Sequence, residues 1–185
     1  MAEAFTNKLV RAAGIVSTTD STAAIGANAT AITNIQTANL HVGDLVVNQN
    51  FRAGAKIRTI TNSTSVVVDR ASTNTSATTS QIVKFLGVTT AFTSSGTEKS
   101  ILIGGTFANL TENDINVSVE IFDNSSAGTA NSTSLLASDI PIPSGSSFVI
   151  SEAGKTVLEA NDQITVYCDT ANAVDVTLAI LSGVS

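Results

Sequence analysis

Few residues in this 185-residue chain could do chemistry, because it contains one histidine, one cysteine, one tyrosine and no tryptophan. A catalytic triad needs a nucleophile, a base and a group that orients the base. His41 lies between Leu40 and Val42 at the expected start of a strand, and no Gly-x-Ser-x-Gly motif accompanies it. Cys168 comes late in another expected strand, where a thiol usually serves as a small buried hydrophobic group. Both residues are therefore interpreted as structural.

Carboxylates are the second possible source of chemistry, since glycosidases use two acids about 5–10 Å apart. Most acids of this chain fall in expected turns, where Asp and Asn side chains bond the backbone. A sugar site also needs aromatic platforms, and Tyr167 is the only tyrosine. The short acidic clusters match no EF-hand loop that would bind Ca²⁺. We predict no catalytic, cofactor-binding or metal-binding residues and no enzymatic activity; the acids considered are Glu112, Asp114, Glu120, Asp123, Asp139, Glu159 and Asp162.

The composition excludes several partners. Only 13% of the residues are charged, about half the usual share, and the formal net charge is −6. The nine Lys and Arg residues are scattered, which argues against nucleic acid. No apolar run approaches the roughly 18 residues of a membrane span, and the N-terminus lacks a signal-peptide core. We expect synthesis in the cytoplasm, which also suits an unpaired cysteine.

Hydrophobic periodicity predicts an all-β fold. Short runs of Val, Ile, Thr and Phe end at Gly, Asn, Asp or Ser about every 8–12 residues, which is typical of antiparallel sandwiches and barrels. The predicted strands of the first half are Lys8–Val16, Ala29–Thr33, Val42–Val47, Lys56–Ile60, Ser65–Asp69 and Gln81–Phe85. Those of the second half are Thr89–Thr93, Ser100–Asn109, Asn116–Phe122, Leu135–Ile142, Ser147–Ile150, Thr156–Leu158, Gln163–Cys168 and Asp175–Leu181.

Patterns within the strands predict their burial. Apolar residues alternate with Ser118 and Glu120 in one strand and with Thr177 in another, so both are expected to expose their polar face. The uninterrupted runs Ser65–Asp69 and Ser100–Gly104 predict central strands covered on both faces. Two further features concern single positions: Gly104-Gly105 predicts a bulge or a close backbone approach, and Pro141 with Pro143 predicts an edge strand.

The domain organisation expected from these patterns is two tandem antiparallel β-sandwich or barrel modules preceded by an extended N-terminal arm. The arm covers residues 1–15, the first module residues 16–87 and the second residues 88–185. The boundary falls near Leu86–Thr89, where no flexible linker separates the strands. Modules of about 90 residues are modestly stable alone and gain from packing against neighbours.

Two stretches resemble known families of β-module. The segment Val42-Gly-Asp-Leu-Val-Val to Ala55-Lys-Ile-Arg, followed by Ser65-Val-Val-Val-Asp, is similar to a module common in tailed-phage virion proteins, with Ala55 in place of the usual Thr. The second half resembles another recurrent phage virion module. Its markers are Ile101-Leu-Ile-Gly-Gly-Thr, Val117-Ser-Val-Glu-Ile-Phe, Ile140-Pro-Ile-Pro-Ser-Gly and Val157-Leu-Glu-Ala-Asn-Asp. Together with the opening residues, these resemble minor structural proteins of cyanophage-like myoviruses.

The resemblance implies a non-enzymatic virion structural protein. We expect a capsid decoration or cement protein that binds neighbouring virion subunits, either major capsid or neck and tail subunits, and that forms a homo-oligomer. The alternatives are a neck, tail or fibre accessory protein and a carbohydrate-binding adhesion module that would expose Tyr167 or a Phe. Within the arm, Phe5, Leu9 and Val10 are the expected assembly contacts.

Overall fold

The computed structural model describes residues 3–124 and 132–184, apart from the side chains of residues 152–155. Fourteen antiparallel strands cover most of these residues, and the described part of the chain contains no helix. The predicted all-β class is therefore confirmed. The strands are β1 (Ala4–Ala13), β2 (Ile15–Ile25), β3 (Ala31–Thr33), β4 (Leu45–Val47), β5 (Ile57–Asn62), β6 (Ser65–Val68), β7 (Thr78–Gly87), β8 (Thr89–Thr93), β9 (Lys99–Asn109), β10 (Ile115–Asp123), β11 (Ser132–Ile142), β12 (Ser147–Leu158), β13 (Gln163–Cys168) and β14 (Val174–Val184).

The chain forms two compact units, but they are nested rather than in tandem. The inserted unit is Ile15–Val88, and it interrupts a split unit made of the residues up to Gly14 and those from Thr89 onward. The predicted division near residue 87 lies close to the end of the inserted unit. The two ends of the insertion lie side by side, since Ile15 is paired with Gly87 in the β2–β7 ladder. Adjacent chain ends are what allow one domain to be inserted into another.

The split unit consists of two four-stranded sheets around a shared core. The first sheet has the order β1-β14-β9-β12 and the second sheet has the order β11-β10-β13-β8. The chain crosses repeatedly from one sheet to the other, so hydrogen-bonded neighbours within a sheet are mostly not consecutive in sequence. Two packed antiparallel sheets that together contain eight strands, connected in this order, form a jelly roll. The core between them includes the fully buried side chains of Phe107, Val117, Val119, Ile164 and Val166.

The N-terminal segment is a strand of this jelly roll rather than a free arm. Residues Ala4 to Val10 pair with β14 in an antiparallel ladder, and a bulge follows before Ala13 pairs with Val174. Ala13 is buried in the core and Val10 packs against it. The prediction of an extended arm is therefore wrong. These residues pair with β14, the last strand of the chain, and a partner so distant in sequence cannot be recognised from the local residue pattern.

The inserted unit is a curved six-stranded sheet in the order β4-β7-β2-β3-β6-β5. Its end strands approach each other through a bridge between Leu45 and Lys56, with backbone hydrogen bonds of 2.8–2.9 Å nearby. They share no continuous ladder, so the sheet is not a closed barrel. Its inner face holds a separate core, with fully buried side chains at Ile25, Ile32, Val66, Val83 and Phe85.

Several strand patterns have the predicted consequence and three do not. The proline-containing β11 lies at a sheet edge, as expected. In β10, however, Ser118 is nearly buried and Glu120 fully buried, so this strand does not expose its polar face. In β6, Val67 is only half buried between two buried valines, so this run is not covered on both faces. In β9, Ile101 is only half buried and Ile103 is exposed, so the run is not covered on both faces. The isolated chain thus leaves a central apolar strand open on one side.

Candidate assembly surface

The outer face of the first sheet, opposite the jelly-roll core, carries a row of apolar side chains across all four strands. Phe5 lies opposite Leu181, and Leu181 lies opposite Ile101. Ile101 in turn lies opposite Val157. Phe5 is 77% exposed and Val157 is 52% exposed. Opposite residues have Cβ atoms about 4.5–5.5 Å apart, so these four side chains form one continuous strip.

A second row crosses the same face at Leu9. Leu9 lies opposite Thr177, which lies opposite Thr106, and Thr106 lies opposite Val149. Leu9 is 69% exposed and Val149 is 53% exposed. One cross-strand row whose side chains are described lies between them, and its members are small or uncharged: Asn7, Ala179, Gly104 and Ser151. In β12, residues 152–155 also lie between the two rows, and they include Glu152 and Lys155. We call this face, from the Phe5 row to the Leu9 row, the assembly surface.

Strand alternation explains why these side chains face outward. In β14, Val176, Leu178 and Ile180 are almost completely buried in the core. Successive side chains of a strand point to opposite faces, so Thr177 and Leu181 project from the outer face. The outward direction in β1, β9 and β12 then follows from their registers with β14 and β9.

A bulge in β9 increases the apolar character of the surface. Leu102 pairs with Ile180 and Gly104 pairs with Ala179, which leaves Ile103 as the extra residue. Ile103 is 40% exposed. A Cβ atom on Gly104 would lie 2.9 Å from a backbone oxygen of the adjacent strand, so glycine allows the close approach. The bulge predicted from Gly104-Gly105 is confirmed.

Ion pairs lie at the two ends of the assembly surface. Arg11 Nε is 4.0 Å from Asp175 Oδ2 beyond the Leu9 row, and Lys99 Nζ is 3.0 Å from Glu159 Oε1 beyond the Phe5 row. Exposed pairs contribute little to stability because water and salt screen them. An apolar centre with charged groups at its margin is the usual anatomy of a protein interface.

The three predicted assembly contacts divide between the two faces of β1. Phe5 and Leu9 belong to the rows of the assembly surface, whereas Val10 is partly buried against the core. Ile101, Val149 and Val157 were not predicted to be surface residues. The uninterrupted run around Ile101 was the available signal, but it was interpreted as burial within the chain.

The residues considered for nucleophilic catalysis belong to different units. His41 is exposed in the inserted unit, where its backbone N–H donates to Asp44 Oδ2 at 3.0 Å. Cys168 is fully buried in the core of the jelly roll. Tyr167 on the same strand is only 2% exposed. The phenolic ring is therefore not displayed as a platform for a sugar.

The candidate acids mainly serve the backbone or remain exposed. Asp162 Oδ1 accepts from the Asn124 N–H at 3.1 Å, and Oδ2 accepts from the Glu159 N–H at 2.9 Å. Asp114 Oδ1 accepts from the Ser144 N–H at 3.3 Å. Among the residues that the structure describes, no three His, Cys, Asp or Glu side chains are grouped so that they could hold a metal ion. The remaining acids are Glu112 and Asp139, which are exposed, Asp123, which is half buried, and Glu120, which is fully buried.

A cleft of about 620 Å³ in the inserted unit contains both arginine and aspartate side chains. Arg70 is held within it, because its Nη1 donates to the Ala53 oxygen at 3.0 Å and its Nη2 lies 3.3 Å from Asp69 Oδ2. Arg52 is exposed at the same cleft. A smaller cleft of about 300 Å³ in the split unit lies between Lys8 and β8. Both clefts are open and neither holds a buried charged side chain.

Comparison with known proteins identifies no relative. No protein-family model matches the chain, and no curated protein or solved structure is significantly similar to it. Within residues 3–124 and 132–184, no helix is long and apolar enough to cross a membrane.

Proposed function

We propose that this chain is a non-enzymatic structural subunit of a tailed-phage virion, and that its assembly surface packs against neighbouring virion subunits. The observation that carries the proposal is the outer face of the first sheet, where two cross-strand rows expose Phe5, Leu9, Val149 and Val157. Exposed apolar patches of this kind mark interaction sites. The resemblance of the sequence motifs to phage virion modules supports the type of particle.

The central strand β9 strengthens the argument for a covering partner. Strands that read as continuous apolar runs are usually buried on both faces. In the isolated chain, Ile101 and Ile103 are covered only partly. Burial by a neighbouring subunit would give the run Ile101-Leu102-Ile103 the environment that its composition predicts.

The energy available at the surface suits assembly from many copies. Full burial of one large apolar side chain contributes about 1.5–3 kcal/mol, and association has to offset lost rotational and translational freedom. Four well-exposed apolar side chains therefore support a moderate contact. Many moderate contacts in one particle add up by multivalency.

Within the particle we propose capsid decoration, with the chain at the joints between major capsid subunits. The jelly roll is used by viral capsid domains, but also by lectins and cupins, so architecture supports this role only by analogy. A neck, tail or fibre accessory protein is the alternative. We place its synthesis in the bacterial host cytoplasm and its final location in the virion, without a nucleic-acid or membrane partner.

A carbohydrate-binding adhesion module has less support. It requires an exposed aromatic ring beside carboxylate or amide groups, and Tyr167 is buried. Phe5 is exposed with Asn7 next to it on the same face, but the residue directly opposite it, Leu181, is aliphatic, and the row continues to the aliphatic Ile101. The hydrophobic row is better suited to another protein surface than to a sugar.

The proposal can be tested in cells that produce the phage. A photo-crosslinking amino acid replaces Val157, the virions are purified, and cross-linked partners are identified by mass spectrometry. The matched control places the same amino acid at Thr59, which is exposed in the inserted unit. We expect the chain in purified virions, with cross-links from position 157 to another virion protein. Labelled antibody seen by electron microscopy then separates a capsid position from the neck and tail.

Two results would overturn the proposal. One is absence of the chain from purified virions. The other is its presence without any cross-link from position 157, while position 59 cross-links efficiently, because the assembly surface would then be facing solvent in the particle.

A further inference from the structure

Among the residues that the structure describes, β1 has a hydrogen-bonded partner strand on one side only. β1 is the end strand of the first sheet, and its ladder to β14 runs without interruption from Ala4 to Val10. All of these residues except Val10 are exposed. An edge strand presents unpaired N–H and C=O groups to any strand that can pair with them. Among the features that block such edges, Ala4–Val10 contains no proline and no bulge, and its single charged residue, Lys8, lies opposite Leu178 on the core-facing side of the strand.

We infer that β1 pairs antiparallel with β1 of a second copy of this chain across a two-fold axis at Asn7. This arrangement places Phe5 opposite Leu9 of the partner subunit, and Leu9 opposite Phe5 of the partner subunit. It also places Ala4 opposite Val10 of the partner subunit. Because a two-fold interface uses the same patch on both copies, the strand must be complementary to itself. The symmetric spacing of Phe5 and Leu9 about Asn7 meets this requirement.

Charges at the ends of the strand favour the same register. Glu3 comes opposite Arg11 of the partner subunit, and Arg11 comes opposite Glu3 of the partner subunit. Both side chains are exposed in the single chain, and Arg11 retains 89% exposure beside Asp175. Opposite charges across strands stabilise a pair, and like charges directly opposite destabilise it. A two-fold axis at Lys8 would instead bring the two Lys8 ammonium groups together, and one at Thr6 would separate Phe5 from Leu9.

Pairing through β1 would turn two four-stranded sheets into one sheet of eight strands. The Phe5 row of one copy would then continue into the Leu9 row of the other, so that the assembly surface becomes twice as wide. The biological role of this dimer rests on the proposed function, because the second copy would be one of the neighbouring subunits in the virion. The strand pairing itself depends only on β1.

A single strand pair buries less than the roughly 1,600 Å² of a standard interface. We therefore expect a dimer with a dissociation constant on the order of micromolar, measured by sedimentation across a concentration series of the purified full chain. Asn7 is exposed and lies at the axis, so Asn7→Lys and Asn7→Asp each place like charges opposite each other. We expect each variant to dimerise about ten-fold more weakly or worse.

Mixing the two variants gives the decisive measurement. Lys at position 7 of one copy faces Asp at position 7 of the other, so an equimolar mixture should recover dimerisation at least to the level of the original chain. The matched controls are Thr59→Lys and Thr59→Asp, which introduce the same charges at an exposed site of the inserted unit and should leave the dissociation constant unchanged.

Three outcomes contradict the inference. The original chain could remain a monomer throughout the concentration range, the Asn7 variants could dimerise as well as the original chain, or the mixture could fail to recover dimers. None of these results affects the proposed function if position 157 still cross-links in virions. Conversely, a dimer that responds as expected but is absent from virions would leave the strand pairing intact and overturn the proposed function.

Discussion

Phe5 lies directly opposite Leu181 in the ladder between β1 and β14, although the two residues are near opposite ends of the chain. This pairing makes the N-terminal segment part of the jelly roll, and it adds an edge strand to the assembly surface. The same alternation divides neighbouring residues of β1, since Leu9 projects outward while Val10 packs against the core.

Substitution of these two neighbours should therefore have different effects. Val10→Ser removes apolar contacts with the core, so we expect the free energy of unfolding to fall by about 1–3 kcal/mol. Leu9→Ser changes an exposed side chain and should alter the free energy of unfolding by less than about 0.5 kcal/mol. Urea denaturation of both variants measures the difference. Equal decreases in the free energy of unfolding would contradict the assignment of Val10 to the core side of β1 and of Leu9 to the outer side.

Removal of residues 1–13 tests whether β1 is integral to the jelly roll. A free arm could be deleted while both units still fold, whereas deletion of β1 exposes an edge of β14 and the buried side chains of Val174 and Val176, which pair with Ala13 and Val10. We expect a large loss of stability in the split unit. Amide hydrogen exchange measures the stability of each unit separately. The amides of β14 should lose protection from exchange, and those of β7 in the inserted unit should keep it. Unchanged protection of β14 would contradict the strand assignment.

Gly14 connects β1 to the inserted unit in a conformation that a side chain does not tolerate. Its φ is +118°, and a Cβ atom would lie 2.5 Å from the Thr170 oxygen. Gly14→Ala should therefore destabilise the split unit through both backbone strain and a clash. Gly145→Ala is the matched control, because its φ is +68° and no atom lies within 4 Å of the added Cβ.

Thermal denaturation compares the two glycine variants. Gly145→Ala should cost about 1–2 kcal/mol, the usual penalty for the left-handed region, and Gly14→Ala should cost distinctly more. Equal melting temperatures for the two variants would argue against the close contact with Thr170.

Local signals predicted the strands well because each depends on neighbouring residues. The prolines of β11 identified an edge strand, and Gly104-Gly105 identified a bulge. The long β2 was largely missed, because Ser, Thr and Asp residues dominate its first half. Its stretch from Ser17 to Thr22 looks like a polar loop until its pairing with β7 is known.

The nesting of the two units and the assembly surface could not be predicted in the same way. The place of β1 depends on β14, and no periodicity within residues 4–13 indicates so distant a partner. The apolar run that contains Ile101 and Ile103 predicted burial, but it did not indicate whether these side chains are buried within the chain or by a neighbouring subunit. Only the register of all four strands shows that Phe5, Leu181, Ile101 and Val157 share one row.

Asp20 makes the stability of the inserted unit depend on pH. Its carboxylate accepts hydrogen bonds from the Thr22 N–H at 2.7 Å, the Thr22 hydroxyl at 2.8 Å and the Gln36 N–H at 3.1 Å. Burial opposes ionisation, but the bonds from Thr22 and Gln36 outweigh it and lower the pKa of Asp20. A carboxyl group whose pKa is lower in the folded state stabilises that state above its unfolded pKa of about 3.9. The stabilisation is lost as the pH falls through the lower folded value.

Asp20→Asn should reveal this contribution. At pH 7 we expect the variant to lose about 1–3 kcal/mol, because an amide cannot accept all three bonds as a carboxylate does. The difference between the original chain and the variant should shrink below about pH 4, since protonation weakens the same bonds in the original chain. Urea denaturation at several pH values between 3 and 7 measures the difference. Thr22→Val removes a hydroxyl that reaches both Asp20 Oδ1 at 2.8 Å and the Asn34 oxygen at 2.7 Å, so only the pH-dependent part of its loss should follow the same trend, with a smaller amplitude. A difference that stays constant over this range would mean that the charge of Asp20 does not stabilise the fold.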